Sequence, residues 1–122
     1  VYLGGNNINN MGHTGAYAES LMEQLLGKMH ADFPDAEIYY IYSMAVPSCY
    51  KGGKFNTEYG AFIDEMKALV EKTDWLSGID TFNDLTKDGE AKKELYRNDG
   101  IHLNDDGYDV FARIINDAVF NK

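Results

Sequence analysis

Apolar residues return every three or four positions from about Ala16 to Ala31. Ala18, Leu21, Met22, Leu25, Leu26 and Met29 share one face there, and the spacing predicts a helix. "FPDA" breaks that pattern. The next stretch, "EIYYIYS" (37–43), is almost continuously apolar, β-branched and aromatic, which predicts a strand covered on both faces. "VPSCYKGGKFN" reads as a loop. A second helix is predicted from about Thr57 to Lys72, with Tyr59, Phe62, Met66, Leu69 and Val70 as its stripe. "DWLSGID" (74–80) is a short strand candidate, and a polar, charged connection follows through Lys93. A last helix is predicted from about Asp105 to Phe120, with Phe111, Ile114, Ile115, Ala118 and Val119 facing inward. At the other end, Val1-Tyr2-Leu3 reads as the close of a buried strand running into the loop "GGNNINNMGHTG".

Strand–helix alternation of this kind implies parallel βαβ units with right-handed crossovers. Three strands make a thin sheet with one exposed edge. The first is shorter than the roughly 5–6 residues of an ordinary strand. The expectation is therefore that residues 1–122 are the C-terminal part of a single α/β domain, N-terminally truncated, with upstream strands absent. Self-association, or pairing with the missing N-terminal segment, would then occur through the exposed sheet edge. In open α/β sheets, sites lie beyond the carboxyl ends of the strands. The loops after the three predicted strands should open on one such edge.

Composition narrows the function classes. Of 122 residues, 44% are hydrophobic and 13% aromatic, a balance that belongs to a folded chain. Twenty acidic against 11 basic side chains leave a net charge of −9, which repels phosphate backbones and argues against nucleic-acid and anionic-membrane partners. No apolar run approaches the ~20 residues of a membrane span. The single cysteine, Cys49, excludes an internal disulfide and a zinc site built on several thiolates. Compartment stays open, cytoplasmic or secreted.

The densest chemistry lies in "DGIHLNDDGY" (99–108). Asp99 and His102 stand three apart with Gly100 between them. A carboxylate beside an imidazole sets its tautomer through Nδ1–H and leaves Nε2 free to take a proton from a hydroxyl nucleophile. The plainer alternative is a turn-capping Asp beside an ordinary histidine. A calcium loop aligned on Gly107 fails, because it would need an acid at His102 and a Glu at Arg113. A metal centre on His102 and Asp99 finds no ligand-like spacing to His13 or His30. The second constellation is "LGGNN": an Asn held by Gly4 and Gly5 at a strand end can aim its NH2 at a developing oxyanion, or simply serve turn chemistry. His13 reads as a loop histidine, with the lining of a substrate pocket as the alternative, and His30 as a surface residue favourable to a helix dipole. Cys49 and Tyr50 stand in a site-edge loop. Asp80 is expected to accept backbone bonds. Asn104, Asp105 and Asp106 read as an N-cap and first-turn acids.

Together, "YLGGNNI" and, most of a domain later, "DGIHLNDDGY" leading into a helix resemble the GDSL/SGNH hydrolase family. The first matches its G-x-N-D block at Gly4, Asn6 and Asn7; the second matches its D-x-x-H block, with "HLN..GY" the most specific part. The resemblance implies a three-layer α/β/α, flavodoxin-like fold with a parallel sheet, and hydrolysis of acetyl or acyl esters by a serine nucleophile. It assigns His102 as general base and acid, Asp99 as its orienting partner and Asn6 as oxyanion donor, with Gly5 and Asn7 in the substrate loop. No cofactor or metal is implied, and the substrate is a small-molecule, carbohydrate or lipid ester. Asn7 stands where the family usually has Asp. The family's Gly-Asp-Ser block is absent, and the serines present are Ser20, Ser43, Ser48 and Ser77, none in that context. The rival readings are a non-catalytic α/β binding module of the same shape and a metal-dependent hydrolase.

Overall fold

Three segments with helical periodicity form helices, and shorter elements fill the loops between them. The computed structural model describes residues 1–42, 46–51 and 54–121. In chain order the elements are α1 (Gly5–Asn9), α2 (Gly15–Asp32), β1 (Ile38–Ile41), a 3₁₀ turn (Pro47–Cys49), β2 (Tyr50–Lys51), β3 (Lys54–Phe55), α3 (Thr57–Glu71), β4 (Leu76–Ile79), α4 (Phe82–Leu85), β5 (Thr86–Lys87), β6 (Glu90–Ala91), a second 3₁₀ turn (Lys93–Leu95) and α5 (Asp105–Val119). Contacts divide them into two units, Val1–Ser43 with Asn56–Gly78, and Met44–Phe55 with Ile79–Lys122.

In the first unit, Thr14 caps α2 by accepting the Tyr17 N–H, and Asn56 caps α3 by accepting that of Tyr59. Gly15, Ala18, Met22 and Leu26 of α2 are buried, as are Tyr59, Phe62, Ile63, Met66 and Leu69 of α3, and the two helices pack together. The sheet is parallel, with β1 hydrogen-bonded to β4. Val1 extends it by one residue: its backbone nitrogen donates to the Tyr39 carbonyl (2.6 Å), and the Ile41 N–H donates to the Val1 carbonyl (2.8 Å). The buried strand expected over Val1–Leu3 is corrected here. Tyr2 and Leu3 are exposed, and the Leu3 carbonyl is taken by the buried Tyr40 hydroxyl (2.7 Å) rather than by another strand.

The second unit corrects the expectation of plain loops. β2 and β3 form an antiparallel pair with Tyr50 opposite Phe55, and Asp88-Gly89 joins β5 and β6 with Thr86 opposite Ala91. Asp88 and Gly89 both have positive φ (53° and 80°), the conformation that Asp-Gly favours in tight hairpins. Val46, Cys49, Ile79, Leu85, Tyr96 and Leu103 are buried. The inward stripe expected on α5 is only half-buried at Phe111, Ile114, Ile115, Ala118 and Val119; Gly107 is the buried residue of that helix. Among the described residues, no helix is long and apolar enough to cross a membrane.

Gly107 lets α5 lie directly on the Leu95 carbonyl, and a Cβ there would also stand 2.8 Å from Leu103 Cδ2. On helix propensity alone, Gly→Ala would stabilise by about 1 kcal/mol. Here the clash with backbone outweighs it, and Gly107→Ala is expected to destabilise by about 1–3 kcal/mol. Urea unfolding checks this; a stabilised variant would show that the α5 contact is loose.

Candidate active site

Asp99 gathers three donors within four residues. Its Oδ1 accepts the N–H groups of Ile101 (2.8 Å) and His102 (3.0 Å), and its Oδ2 stands 2.6 Å from His102 Nδ1. Gly100 at φ +68° makes the reversal this requires, in a region L side chains rarely adopt. The loop is closed from outside as well. Gly100 donates to the Arg97 carbonyl (3.0 Å), Arg97 to the His102 carbonyl (2.7 Å), and Tyr96 bridges to Leu103. Asn104 then caps α5 through Gly107 N–H (2.9 Å) while its amide donates to Glu94 O (2.7 Å). The expectations for the Asp99–His102 pair and the Asn104 cap thus correspond to contacts.

The His102 ring, the first cause, and then the N–H groups of His102 and Ile101 hold the Asp99 carboxyl well below the usual carboxylate range. The carboxylate therefore stays charged and offers an Nδ1–H its acceptor. The imidazole is 63% exposed, and no described residue hydrogen-bonds Nε2. A base with an oriented ring and an open Nε2 can accept a proton from an incoming hydroxyl.

Gly5, Asn6 and Asn7 lie in the other unit, on α1, where the sequence suggested only a loop. Gly4, at φ +112°, leaves its Cβ space to the Phe62 ring, and Gly5 lies against the Tyr59 hydroxyl. Two side chains of α3 and Tyr40 of β1 therefore set this turn. Asn6 is exposed; its Oδ1 accepts from Asn10 Nδ2 (3.3 Å), which leaves its own NH2 as the outward donor. Asn7 Nδ2 lies 3.2 Å from His13 Nδ1, and the His13 ring meets Tyr17 edge-on at 4.7 Å. Asn10 escaped the sequence reading because it matters only at helical i+4 spacing from Asn6.

The remaining candidates stand apart from this chemistry. Ser20 donates to the Tyr17 carbonyl (2.7 Å), Ser77 lies in β4, and Ser43 lies outside the described residues. Asp80 accepts the Phe82 N–H (2.9 Å), the structural role expected of it. His30 is not a plain surface residue: its ring stacks on Trp75 with centroids 4.3 Å apart. Cys49 is buried, and Tyr50 is half-buried with its ring 5.0 Å from Phe55. Among the described residues, no three His, Cys, Asp or Glu side chains are grouped to hold a metal ion.

A family model described as GDSL-like Lipase/Acylhydrolase family matches residues 1–110. No curated protein matches the chain in sequence. Among solved structures, a carbohydrate esterase family 3 protein from Talaromyces cellulolyticus is similar over 98% of this chain (TM-score 0.79, 16% identity). A Streptococcus pneumonia protein provisionally described as a platelet activating factor is similar over 95% (0.80, 21%). The esterase domain of the ORF1 protein from the zebrafish ZfL2-1 retrotransposon is similar over 91% (0.66, 16%). These likenesses establish the fold, and the expected α/β class with a parallel sheet stands. The chain spans 55%, 56% and 66% of those three chains respectively.

A carboxyl group whose pKa folding lowers adds stability that is full above its ordinary value, about 3.9 for Asp, and is lost progressively as pH falls from there through the lowered folded value. In ¹³C-detected titrations Asp99 is therefore expected to remain ionised below the range where ordinary aspartates protonate. His102→Ala should move its midpoint up toward that range. An ordinary midpoint with His102 in place would contradict the assigned hydrogen bonds.

Proposed function

The chain belongs to the GDSL-like lipase/acylhydrolase family, and on that premise we propose that it supplies the proton relay and the oxyanion donor of a serine esterase. The observation that carries this reading is the 2.6 Å contact between Asp99 Oδ2 and His102 Nδ1, made by a carboxylate already anchored to two backbone N–H groups. The family match and two structural neighbours described as esterases support ester hydrolysis as the reaction class.

In this mechanism His102 Nε2 removes the proton of a serine hydroxyl as its oxygen attacks the ester carbonyl. Asp99 accepts the Nδ1–H and stabilises the imidazolium without taking the proton. The tetrahedral oxyanion accepts a hydrogen bond from Asn6 Nδ2, a contact worth about 2.7–4 kcal/mol where such donors have been removed. Collapse breaks the ester C–O bond, and His102 returns its proton to the departing alcohol. Water then repeats the cycle on the acyl-enzyme. The nucleophile comes from a Gly-Asp-Ser segment outside these 122 residues, which form the C-terminal part of the hydrolase domain. The substrate is a small-molecule, carbohydrate or lipid ester.

Three outcomes follow. The reading frame preceding Val1 should encode a Gly-Asp-Ser segment, and a frame without one overturns the reading. In the protein carrying that segment, His102→Ala should lower ester turnover by roughly 10⁴-fold or more with the fold intact; near-parent turnover would sink the assignment. The 122-residue chain alone should resist fluorophosphonate labelling, and covalent modification at any of its four serines would contradict a nucleophile placed elsewhere.

A further inference from the structure

Ser48 was of interest in the sequence as a hydroxyl, yet its contact with the Asp99–His102 turn is made by its backbone. The Pro47–Cys49 turn is seated by buried Val46 and Cys49, and closed by the Cys49 N–H donating to the Val46 carbonyl (2.9 Å). Pro47 has no N–H to offer, and the Ser48 N–H, at the start of a helical turn, finds no acceptor within it. That N–H donates instead to the Gly100 carbonyl at 3.0 Å. Gly100 lies between Asp99 and His102 with a left-handed φ of 68°, and its Cα side faces Pro47 and the Ser48 nitrogen.

The Asp99–His102 loop is otherwise braced by bonds among residues 92–107. The Ser48 bond joins it to the segment that follows β1. We propose that Ser48 is a positioning residue of the proton relay, acting through its peptide N–H to hold the Gly100 peptide and, through it, the His102 ring. This rests on the reading of His102 as the base. Loss of the bond lets the turn rotate about Gly100, the residue with the least steric resistance. Nε2 then spends less time at the geometry proton transfer needs, where displacements near 1 Å cost up to about 10²-fold.

The test replaces only the N–H. Ser48→Pro removes it by substitution, and an amide-to-ester replacement of the Pro47–Ser48 bond removes it without a new ring, which guards against misfolding of the proline variant. Ser48→Ala keeps the N–H and serves as the conservative rescue. In the ¹⁵N-labelled chain, the His102 Nδ1 proton should exchange about ten-fold faster in the first two variants and at the parent rate in the third. In the protein carrying the nucleophile, kcat should fall about 10- to 100-fold with KM within two-fold. An ester variant with unchanged Nδ1–H exchange and unchanged kcat overturns the proposal, even where His102→Ala abolishes turnover. Conversely, active His102→Ala with a disturbed ring in the ester variant would remove the base assignment and leave the Ser48 coupling standing.

Discussion

The arrangement of the second unit turns on one carboxylate that must satisfy three donors. Two backbone N–H groups and an imidazole meet the Asp99 oxygens from residues two and three positions downstream. Only a reversal at Gly100 brings them there together. Once the chain has turned, Tyr96 comes opposite Leu103, and Asn104 is delivered to the start of α5. The charge that organises the turn is the same charge that would stabilise an imidazolium. The fold and the proposed chemistry therefore draw on one interaction, and a change at Asp99 cannot be assigned to either alone.

The first unit sets its Gly4–Asn9 turn by packing rather than charge. The Phe62 ring occupies the space beside Gly4, Tyr59 lies against Gly5, and Tyr40 holds the Leu3 carbonyl. Three aromatic side chains from α3 and β1 thereby position a short helix that would be marginal by itself. Asn10 then orients the Asn6 amide by occupying its oxygen. At Asn7, where the family usually has a carboxylate, the neutral amide places its Nδ2 3.2 Å from His13 Nδ1. From Val1 to Ala18 the sequence contains no Asp, Glu, Lys or Arg, so the proposed oxyanion donor sits in a locally uncharged segment of an acidic chain.

How much was legible follows from which signals are local. α2 and α3 were readable because each buries a stripe long enough to show its period, from Ala18 to Leu26 and from Tyr59 to Leu69. The hairpins at Tyr50–Phe55 and Thr86–Ala91 were not read as strands, because two residues carry no alternation. In the sequence, the Gly-Gly pair at 52–53 and the Asp-Gly pair at 88–89 are the available sign. The i, i+3 spacing of Asp99 and His102 announced a pair, and capping chemistry announced Asn104. The helix at Gly5–Asn9 was hidden because Gly and Asn are poor helix formers, and here the rings of Tyr59 and Phe62 override that preference. On α5 the periodicity correctly marked an apolar face, yet it carries no information on how completely that face is covered.

The sequence by itself therefore determined the alternating α/β order, the acid–histidine spacing and the cap that launches the last helix, since each depends on residues within one turn or one stripe. Only the tertiary structure decided that residues 5–9 form a helix on which Asn10 occupies the Asn6 oxygen, and that Ser48 meets Gly100. Those outcomes depend on contacts between residues far apart in the chain, or on backbone angles that side-chain identity permits without dictating. A glycine allows a left-handed turn; the segments packed against it determine where that turn points.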